Sequence, residues 1–422
     1  MKWWPLVLVG CSGSVGTVSV SLTTAPGSHV LDTVETLQLT ITNPHEVTTA
    51  HRSASGGFDI VIDHDATGAT GALIIEGLDA SGATVAVGQS PPFPFGGIDA
   101  KVVVYMAAPN TVGLAPATLT PARGEIAVGA LTYGALFAGG ATGSGASDDV
   151  VIYNAFDHSL SGGLALPAPR SALALGIGAN NNAYLFGGDD ASGTPTGTAW
   201  RFDTNASPNG MYADFGDKTG FARAGAIAVP IGNDHFLISG TPAAELDGQN
   251  GSVTARTEVT SLPAAGASVL GSDDTIAAVF AGDTGIVGFH GGTFAILDTT
   301  PRPGATVVPV PGGKLLVVCG GPTLRIDPVT GTIETFTMFP PQGETGCAAA
   351  ATSRHLLVAA GSTVDVADVT TLAPVAAATL AVPRTGASAV ALPNDQVMIV
   401  GGLDGSNAPT GAIELFTPAA PP

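Results

Sequence analysis

The sequence predicts an all-β protein in which a β-sandwich precedes a seven-bladed β-propeller. Its 422 residues include 58 Gly and 31 Pro but only 14 Lys and Arg, a composition that favours short strands and tight turns over helices. Seven pairs of small residues end short apolar runs at intervals of 39 to 52 residues, and this period is typical of propeller repeats. The pairs are Gly139-Gly140, Gly187-Gly188, Ser239-Gly240, Ala281-Gly282, Gly320-Gly321, Ala360-Gly361 and Gly401-Gly402.

The charge balance excludes two classes of partner. A formal net charge of −20 repels nucleic acids and anionic membrane surfaces, because both are polyanions. The sequence contains no nucleophile elbow, no phosphate-binding loop and no convincing dinucleotide fingerprint. We therefore expect no catalytic residues, no cofactor and no metal ion.

Residues 1–10 resemble a bacterial lipoprotein signal peptide. Lys2 is followed by a short apolar run that ends in Leu-Val-Gly-Cys, which is similar to a lipobox. The resemblance implies removal of residues 1–10, a lipid on Cys11 and a tether over 11–16. Ser12 resembles the residues that permit sorting to the outer membrane, with either periplasmic or surface exposure. A chance match or a misplaced start codon is the alternative, since the signal is short.

Residues 17–108 alternate between apolar and polar positions as strands do. The predicted strands lie at 17–22, 36–43, 58–63, 72–79, 83–89 and 100–107. This number of short strands in about 90 residues indicates a sandwich of immunoglobulin type, although the Cys and Trp pattern of true members is missing. The proline-rich run at 91–95 should form an edge or a crossing loop.

Each small-residue pair after residue 110 is preceded by an apolar hairpin. The turns of these hairpins carry the expected chemistry, as at Asn233-Asp234, Gly312-Gly313 and Asn394-Asp395. Nearly every residue of a hairpin is apolar, which indicates strands that are covered on both faces, as the inner strands of a propeller blade are.

An arginine stands 17 to 19 residues before the end of five of the pairs, in contexts such as PAPRSALA and AVPRTGASA. These arginines are Arg123, Arg170, Arg223, Arg302 and Arg384. Together with the Gly-Gly pairs and the segments RFDTN, RIDPVTG and VADVTT, they resemble the kelch repeat over about 112–418. Most repeats depart from the family in lacking its aromatic residues, and two lack the arginine.

The last repeat supplies a third strand at 412–418 and then ends without a fourth. The segment 112–121 resembles the stretches that precede other repeats. We therefore predict that 112–121 pairs with 412–418 and closes the ring through main-chain hydrogen bonds, which would remove the exposed edge.

Propeller geometry places the arginines and the loops after the small-residue pairs on one face. Long loops are predicted in blades one, two, three and seven, at 139–149, 188–199, 241–252 and 403–412. The candidate ligand-binding residues are the five arginines together with Asp148, Asp149, Asp189, Asp190 and Asp404. The arginines suit a carboxylate or phosphate, and the acidic rim suits a basic ligand or Ca²⁺. The alternative is structural: the arginines cap loop carbonyls or pair with these aspartates, which shape turns.

Cys319 and Cys347 are the remaining cysteines. They lie in neighbouring repeats, so an exported protein could join them by a disulfide. Two buried free thiols are the alternative.

Two functions follow from these observations. The first is a non-catalytic, lipid-anchored envelope protein that binds a protein or glycan through one propeller face. The second is implied by the kelch resemblance and the arginine ring: an enzyme acting on a sugar, of the sialate-epimerase kind. The enzyme needs at least three arginines and a carboxylate or histidine in one pocket, so the arrangement of the arginines separates the two.

Overall fold

A computed structural model describes residues 15–53, 58, 60–65, 69–94, 100–337, 339 and 346–421. Cys11 and the signal-like segment lie outside these residues. The described chain is built of strands, with one short 3-10 turn at Ala179–Asn181. No helix in it is long and apolar enough to cross a membrane.

The strands are β1 Val15–Thr23, β2 Thr36–Thr42, β3 His45–His51, β4 Val61–Asp65, β5 Thr70–Gly71, β6 Leu73–Leu78, β7 Thr84–Gln89, β8 Phe93–Pro94, β9 Ala100–Tyr105, β10 Thr111–Leu114, β11 Ala127–Leu131, β12 Gly134–Ala138, β13 Ala141–Thr142, β14 Gly145–Ala146, β15 Val150–Asn154, β16 Ser159–Gly162, β17 Ala174–Ile177, β18 Ala183–Phe186, β19 Thr198–Asp203, β20 Met211–Asp217, β21 Ala228–Gly232, β22 His235–Ile238, β23 Ala244–Asp247, β24 Val253–Ala255, β25 Ala265–Leu270, β26 Ile276–Gly282, β27 Gly285–His290, β28 Thr293–Asp298, β29 Thr306–Val310, β30 Lys314–Val318, β31 Thr323–Ile326, β32 Ile333–Phe336, β33 Ala348–Ala351, β34 His355–Ala360, β35 Thr363–Asp368, β36 Pro374–Thr379, β37 Ser388–Ala391, β38 Val397–Val400 and β39 Ile413–Thr417.

The N-terminal region is a β-sandwich. One sheet has the order β4-β1-β9 and the other the order β3-β2-β6-β7. Alternate residues of both sheets point inward and share one core, in which Leu37 and Leu39 from one sheet meet Val102 and Val104 from the other. The proline-rich run contributes only the two-residue strand β8, which pairs with β5.

Seven antiparallel sheets of four strands follow, which confirms the predicted propeller. We call them blades 1 to 7. In order they are β11-β12-β15-β16, β17-β18-β19-β20, β21-β22-β23-β24, β25-β26-β27-β28, β29-β30-β31-β32, β33-β34-β35-β36 and β37-β38-β39-β10. The first strand of each blade lies beside the first strand of the next, and β37 lies beside β11. The ring is therefore closed.

Closure uses the segment that the sequence indicated. β10 pairs antiparallel with β39 from Thr111 opposite Thr417 to Leu114 opposite Glu414. Beyond the strand, the amide of Leu119 donates to the carbonyl of Gly411 at 2.9 Å. The chain thus supplies the outer strand of blade 7 before it builds blade 1.

The small-residue pairs allow neighbouring blades to approach closely. Gly139 has φ 59°, and a Cβ there would lie 2.4 Å from the carbonyl oxygen of Arg170, at the start of the next blade. Gly187 stands in the same relation to Arg223, at 2.5 Å. These distances leave no room for a side chain, so the close packing of the blades requires glycine.

The sandwich packs against one face of the propeller through blade 1. The amide of Val103 donates to the carbonyl of Phe156 at 2.8 Å, and the amide of Tyr105 donates to His158 Nε2 at 3.2 Å. His158 Nδ1 lies 2.6 Å from the hydroxyl of Tyr153. Because His158 is buried, its pKa falls to about 4, which favours the neutral ring at this junction.

Candidate functional site

The propeller has two unlike faces. The lower face carries the hairpin turns between the first and second strands of the blades, together with the sandwich. The upper face carries the small-residue pairs and the entries to the blades, as shown by the bridges of Gly124 with Ala141 and of Thr385 with Leu403. The predicted site residues therefore belong to the upper face, opposite the sandwich.

A cavity of about 530 Å³ occupies the channel at the centre of the ring. All seven blades line it, mainly through small or aliphatic residues such as Ala172, Leu175, Ile227 and Ala389. Glu125 is the only ionisable side chain among the lining residues that the structure describes, apart from the disulfide-bonded Cys347. This lining offers one carboxylate, which can pair with a single positive charge, and it offers no pair of groups for acid and base catalysis.

A left-handed residue stands two positions after each of the five arginines, and the first three of these residues line the channel at its entrance. The five residues are Glu125 at φ 49°, Ala172 at 49°, Gly225 at 67°, Gly304 at 69° and Gly386 at 63°. The amide of Ala172 donates to the carbonyl of Glu125, and the amide of Gly225 donates to that of Ala172, at 3.1 and 2.7 Å. Hydrogen bonds between neighbouring blades thus fix the entrance.

The five arginines lie inside their own blades rather than in the channel. Arg123, which has no exposed surface, donates from Nη1 to the carbonyl oxygens of Gly139 and Asp149, both at 2.8 Å. Arg223 Nη1 donates to the carbonyls of Ser239 and Pro242, at 2.8 and 3.0 Å. These bonds hold the loop after the second strand against the entry to the same blade.

Arg170, Arg302 and Arg384 follow the same principle with different partners. Arg170 stacks over Trp200, with its guanidinium carbon 5.1 Å from the ring centre. Arg302 Nη1 donates to the carbonyl of Pro322 at 2.7 Å. Burial lowers the pKa of each of the five guanidinium groups, partly offset by a nearby carboxylate in all except Arg223. Among the described residues the arginines do not converge on one pocket.

Among the described residues, Arg384 forms the only ion pair in which both side chains are fully buried. Its Nη1 lies 3.1 Å from Glu414 Oε1, and both side chains are 0% exposed. The two carboxylate oxygens of Glu414 also accept the amides of Ala381 and Val382, at 2.8 and 3.2 Å. Since Glu414 lies on β39 opposite Leu114 of β10, this network stands at the seam where the ring closes.

Two of the predicted aspartates shape the loops that carry them. Asp190 Oδ1 accepts the amides of Ser192 and Thr194, and Asp404 Oδ1 accepts those of Ser406 and Ala408. Hydrogen bonds to the ionised carboxylate lower the pKa of both groups, above all those from the hydroxyls of the two serines. Asp190 and Asp404 are therefore occupied in turn formation.

The other three aspartates differ in exposure. Asp149 is half-buried, and its Oδ2 accepts the hydroxyl of Ser147 at 2.8 Å. On the upper face, Asp148 is exposed and Asp189 is half-buried like Asp149. In the described chain, no three His, Cys, Asp or Glu side chains lie close enough together to hold a metal ion.

The prediction of a long loop at 241–252 in blade 3 is wrong. Ala244–Asp247 forms β23, in which Ala244 and Leu246 are buried and Glu245 and Asp247 alternate with them. The turn chemistry of 248–252 belongs to the connection with β24 on the lower side. Among the described residues, the long loops between second and third strands therefore come from blades 7, 1 and 2.

A polar cluster that was not predicted from the sequence lies between blades 3 and 4. His235 Nδ1 lies 2.8 Å from Glu245 Oε1, and Arg256 Nη1 donates to Glu245 Oε2 at 2.6 Å. The guanidinium of Arg256 also faces the rings of Phe289 and Phe294 of the next blade. In the sequence, Glu245 alternates with the apolar residues Ala244 and Leu246. This alternation could have indicated the cluster, but only if 244–247 had been predicted as a strand rather than a loop.

A disulfide joins Cys319, after the second strand of blade 5, to Cys347, at the entry to blade 6, with an S–S distance of 1.92 Å. Cys347 borders the channel. The link ties two neighbouring blades together at the upper face.

The closed ring of seven four-stranded sheets around a central channel defines a β-propeller protein. No protein-family model matches the chain, and no curated protein matches it. Among solved structures, the chain is similar to one described as "Structure of YjhT", with 12% sequence identity and a TM-score of 0.44. The alignment covers 71% of this chain and 96% of that chain.

Proposed function

We propose that the protein is a non-catalytic binding module of a bacterial cell envelope, held at the outer membrane by a lipid on Cys11. In this proposal the sandwich lies between the tether and the propeller, and the upper face recognises a protein or glycan. The observation that carries the proposal is the channel, in which Glu125 is the only ionisable side chain among the described lining residues besides the bonded Cys347. A single carboxylate can orient a ligand, but it cannot act as both acid and base at separate positions.

The sugar-active enzyme has less support. It requires arginines that hold a substrate carboxylate, whereas the guanidinium groups of Arg123 and Arg223 are already bonded to carbonyl oxygens of their own blades. The Nη2 atoms of both arginines have no hydrogen-bond partner among the described residues, but they are buried, so a ligand could contact them only if the residues packed around them moved apart. Binding without catalysis therefore fits the geometry better.

The charge of the upper loops points to a basic ligand. The segments 139–149, 187–197 and 401–411 contain five aspartates and no Lys, Arg or aromatic residue. An acidic surface of this kind attracts positive groups, such as a lysine-rich protein surface or a glycan with free amines. We include this preference in the proposal.

Glycan arrays that pair free amino sugars with their N-acetylated forms test this function, combined with capture of envelope proteins on the immobilised chain. We expect amino sugars or basic proteins to bind, and the double change Asp148→Asn and Asp189→Asn to weaken that binding several-fold. Asp274→Asn, an exposed left-handed position in a lower-face hairpin turn, is the matched control. Equal binding by all three forms would place the ligand elsewhere.

The anchor is tested separately. Cells that express the chain are labelled with a radioactive fatty acid and compared with cells that express Cys11→Ser. We expect label only in the parent protein. Equal incorporation in the two proteins would remove the lipid from the proposal and leave the binding function to be judged on its own data.

A further inference from the structure

The strand β3 lies at an exposed edge of the sandwich. It is the terminal strand of its sheet in the described chain and pairs with β2 along all seven residues, from Thr36 opposite His51 to Thr42 opposite His45. Six of its seven residues are exposed, and Val47 is 53% exposed. A regular strand edge of this length is a template for pairing with another strand.

The outer strands of the seven blades are protected in ways that β3 is not. The strands β10, β16, β24 and β32 have only three or four residues. The longer β20, β28 and β36 each pair with their neighbour through a shift in register. Short length and bulges are the devices that prevent edge pairing. The strand β3 has no shift and contains no Lys, Pro or Gly.

The direction of the backbone groups of β3 follows from one hydrogen bond. The amide of Arg52 donates to the carbonyl of Glu35 at 3.0 Å, across the sheet from β3 to β2. Since N–H and C=O groups alternate in direction along a strand, Ala50 and Thr48 also bond toward β2. Val47, Thr49 and the two terminal histidines then direct their amides and carbonyls to the free side.

We propose that β3 pairs with the β3 strand of a second copy, antiparallel and about a twofold axis at Thr48, so that the two sheets become one. This register uses the whole strand. Val47 lies opposite Thr49 of the second copy and His45 opposite its His51, so every outward amide meets a carbonyl. Pairs of β-branched residues are favourable neighbours across strands.

The register at Thr48 also avoids repulsion. It places Glu46 opposite Ala50, whereas an axis at Glu46 would place the two carboxylates opposite each other and would leave most of the strand unpaired. The sequence His-Glu-Val-Thr-Thr-Ala-His is therefore close to self-complementary when it is read antiparallel. A second copy fits this edge better than an arbitrary strand.

Disulfide trapping tests the pairing and its register together. In the full chain carrying Cys11→Ser, Thr48→Cys places two cysteines directly opposite each other at the axis, with Cβ atoms about 5 Å apart, which is close enough for their thiols to form a disulfide. Ala50→Cys places the corresponding thiols roughly 13 Å apart along the strands. We expect mild oxidation to give covalent dimers of the first variant and at least tenfold less of the second.

Sedimentation equilibrium on the same Cys11→Ser chain tests the association without a cross-link. The strand pair buries less than the roughly 1,600 Å² of a standard interface, so we expect a dissociation constant on the order of 100 µM. Val47→Lys should weaken it at least tenfold. The control Val375→Lys, at a 40% exposed valine of β36 in blade 6, should not change it.

Three results would overturn the proposal. The parent chain could remain monomeric at 1 mM, a concentration about ten times the expected dissociation constant. Ala50→Cys could cross-link as efficiently as Thr48→Cys, which would show non-specific contact. Thr48→Cys could form a mixed disulfide with a different envelope protein and none with itself, which would assign the edge to a foreign strand.

Discussion

The sandwich and the propeller are made of similar strands and even share a turn, but they differ in how their sheet edges are secured. Asp79 in the sandwich and Asp404 in blade 7 accept the same pattern of hydrogen bonds, from a serine two residues on and an amide four residues on. The propeller closes on itself through β10 and β39. In the sandwich, the exposed strand β3 forms the edge of one sheet. Whether a region closes on itself therefore depends on the order in which its strands are connected, and not on the residues that form the strands.

The seam where β10 pairs with β39 should be the place where a substitution lowers the stability of the propeller most. Glu414→Ala leaves the buried Arg384 without its carboxylate, and we expect the free energy of unfolding of the propeller to fall by about 3–5 kcal/mol. Urea unfolding followed by intrinsic fluorescence measures the loss.

The paired change Glu414→Leu with Arg384→Met is the control at the seam. It replaces both charges with apolar groups, so it should recover most of the stability. If the single and the paired variants were equally unstable, the shape of the site rather than the buried charge would be responsible.

The disulfide secures the propeller at a second place. Cys319 and Cys347 are 28 residues apart, and in the chain-entropy account a closed loop of this length adds about 3–4 kcal/mol to stability. We expect the double change to Ser to lower the stability of the propeller by that amount. The parent protein unfolded in a reducing agent should match the variant, and a large difference between them would locate the effect in the serine side chains.

The junction between the two regions should respond to pH. His158 has a pKa of about 4 in the folded protein, below the ordinary value of 6.5. Its contribution to stability is therefore complete above pH 6.5 and is lost as the pH falls toward 4, by about 3 kcal/mol in total. His158→Asn, which suits the left-handed backbone at φ 56°, should remove that part of the pH dependence.

Urea unfolding at pH 7 and pH 4.5 measures the effect of His158. The control is His45→Asn, at an exposed histidine. This variant should lose as much stability between pH 7 and pH 4.5 as the parent protein does. If His158→Asn lost as much stability between pH 7 and pH 4.5 as the parent protein, the acid sensitivity would be due to carboxylates.

The shared turn should give the smallest effect and the most direct comparison. Asp79→Ala in the sandwich and Asp404→Ala in blade 7 each remove the same hydrogen bonds from exposed loops. We expect small and equal losses of stability, with faster hydrogen exchange at the amides of Ala83 and Ala408. A much larger loss in one region would mean that the turn there also supports packing.

Most of the architecture could be predicted from the sequence because buried strands leave a periodic apolar pattern. The small-residue pairs mark the ends of second strands, and Asn233 and Asp234 adopt the left-handed conformations that their hairpin requires. The strand β3 was not predicted because both of its faces are exposed. His45–His51 therefore shows no apolar alternation, and only its pairing with β2 identifies it.

The candidate site was less predictable for a physical reason. An arginine that binds a ligand and an arginine that caps carbonyls look the same in a sequence, and only the positions of Gly139 and Ser239 relative to Arg123 and Arg223 separate the two. The same holds for Asp190, whose partners lie two and four residues away but depend on the turn. The structure places all of these residues on or near the upper face but gives many of them structural partners.

The closing strand also determines how the molecule would bear a mechanical load. β10 begins at Thr111, six residues after the last sandwich strand, and runs upward from the lower face along β39. A pull on the sandwich would act along the length of this pair, so its hydrogen bonds would be strained together rather than broken one after another. Under such a pull, the joint that completes the ring would be loaded in shear, with its hydrogen bonds sharing the force.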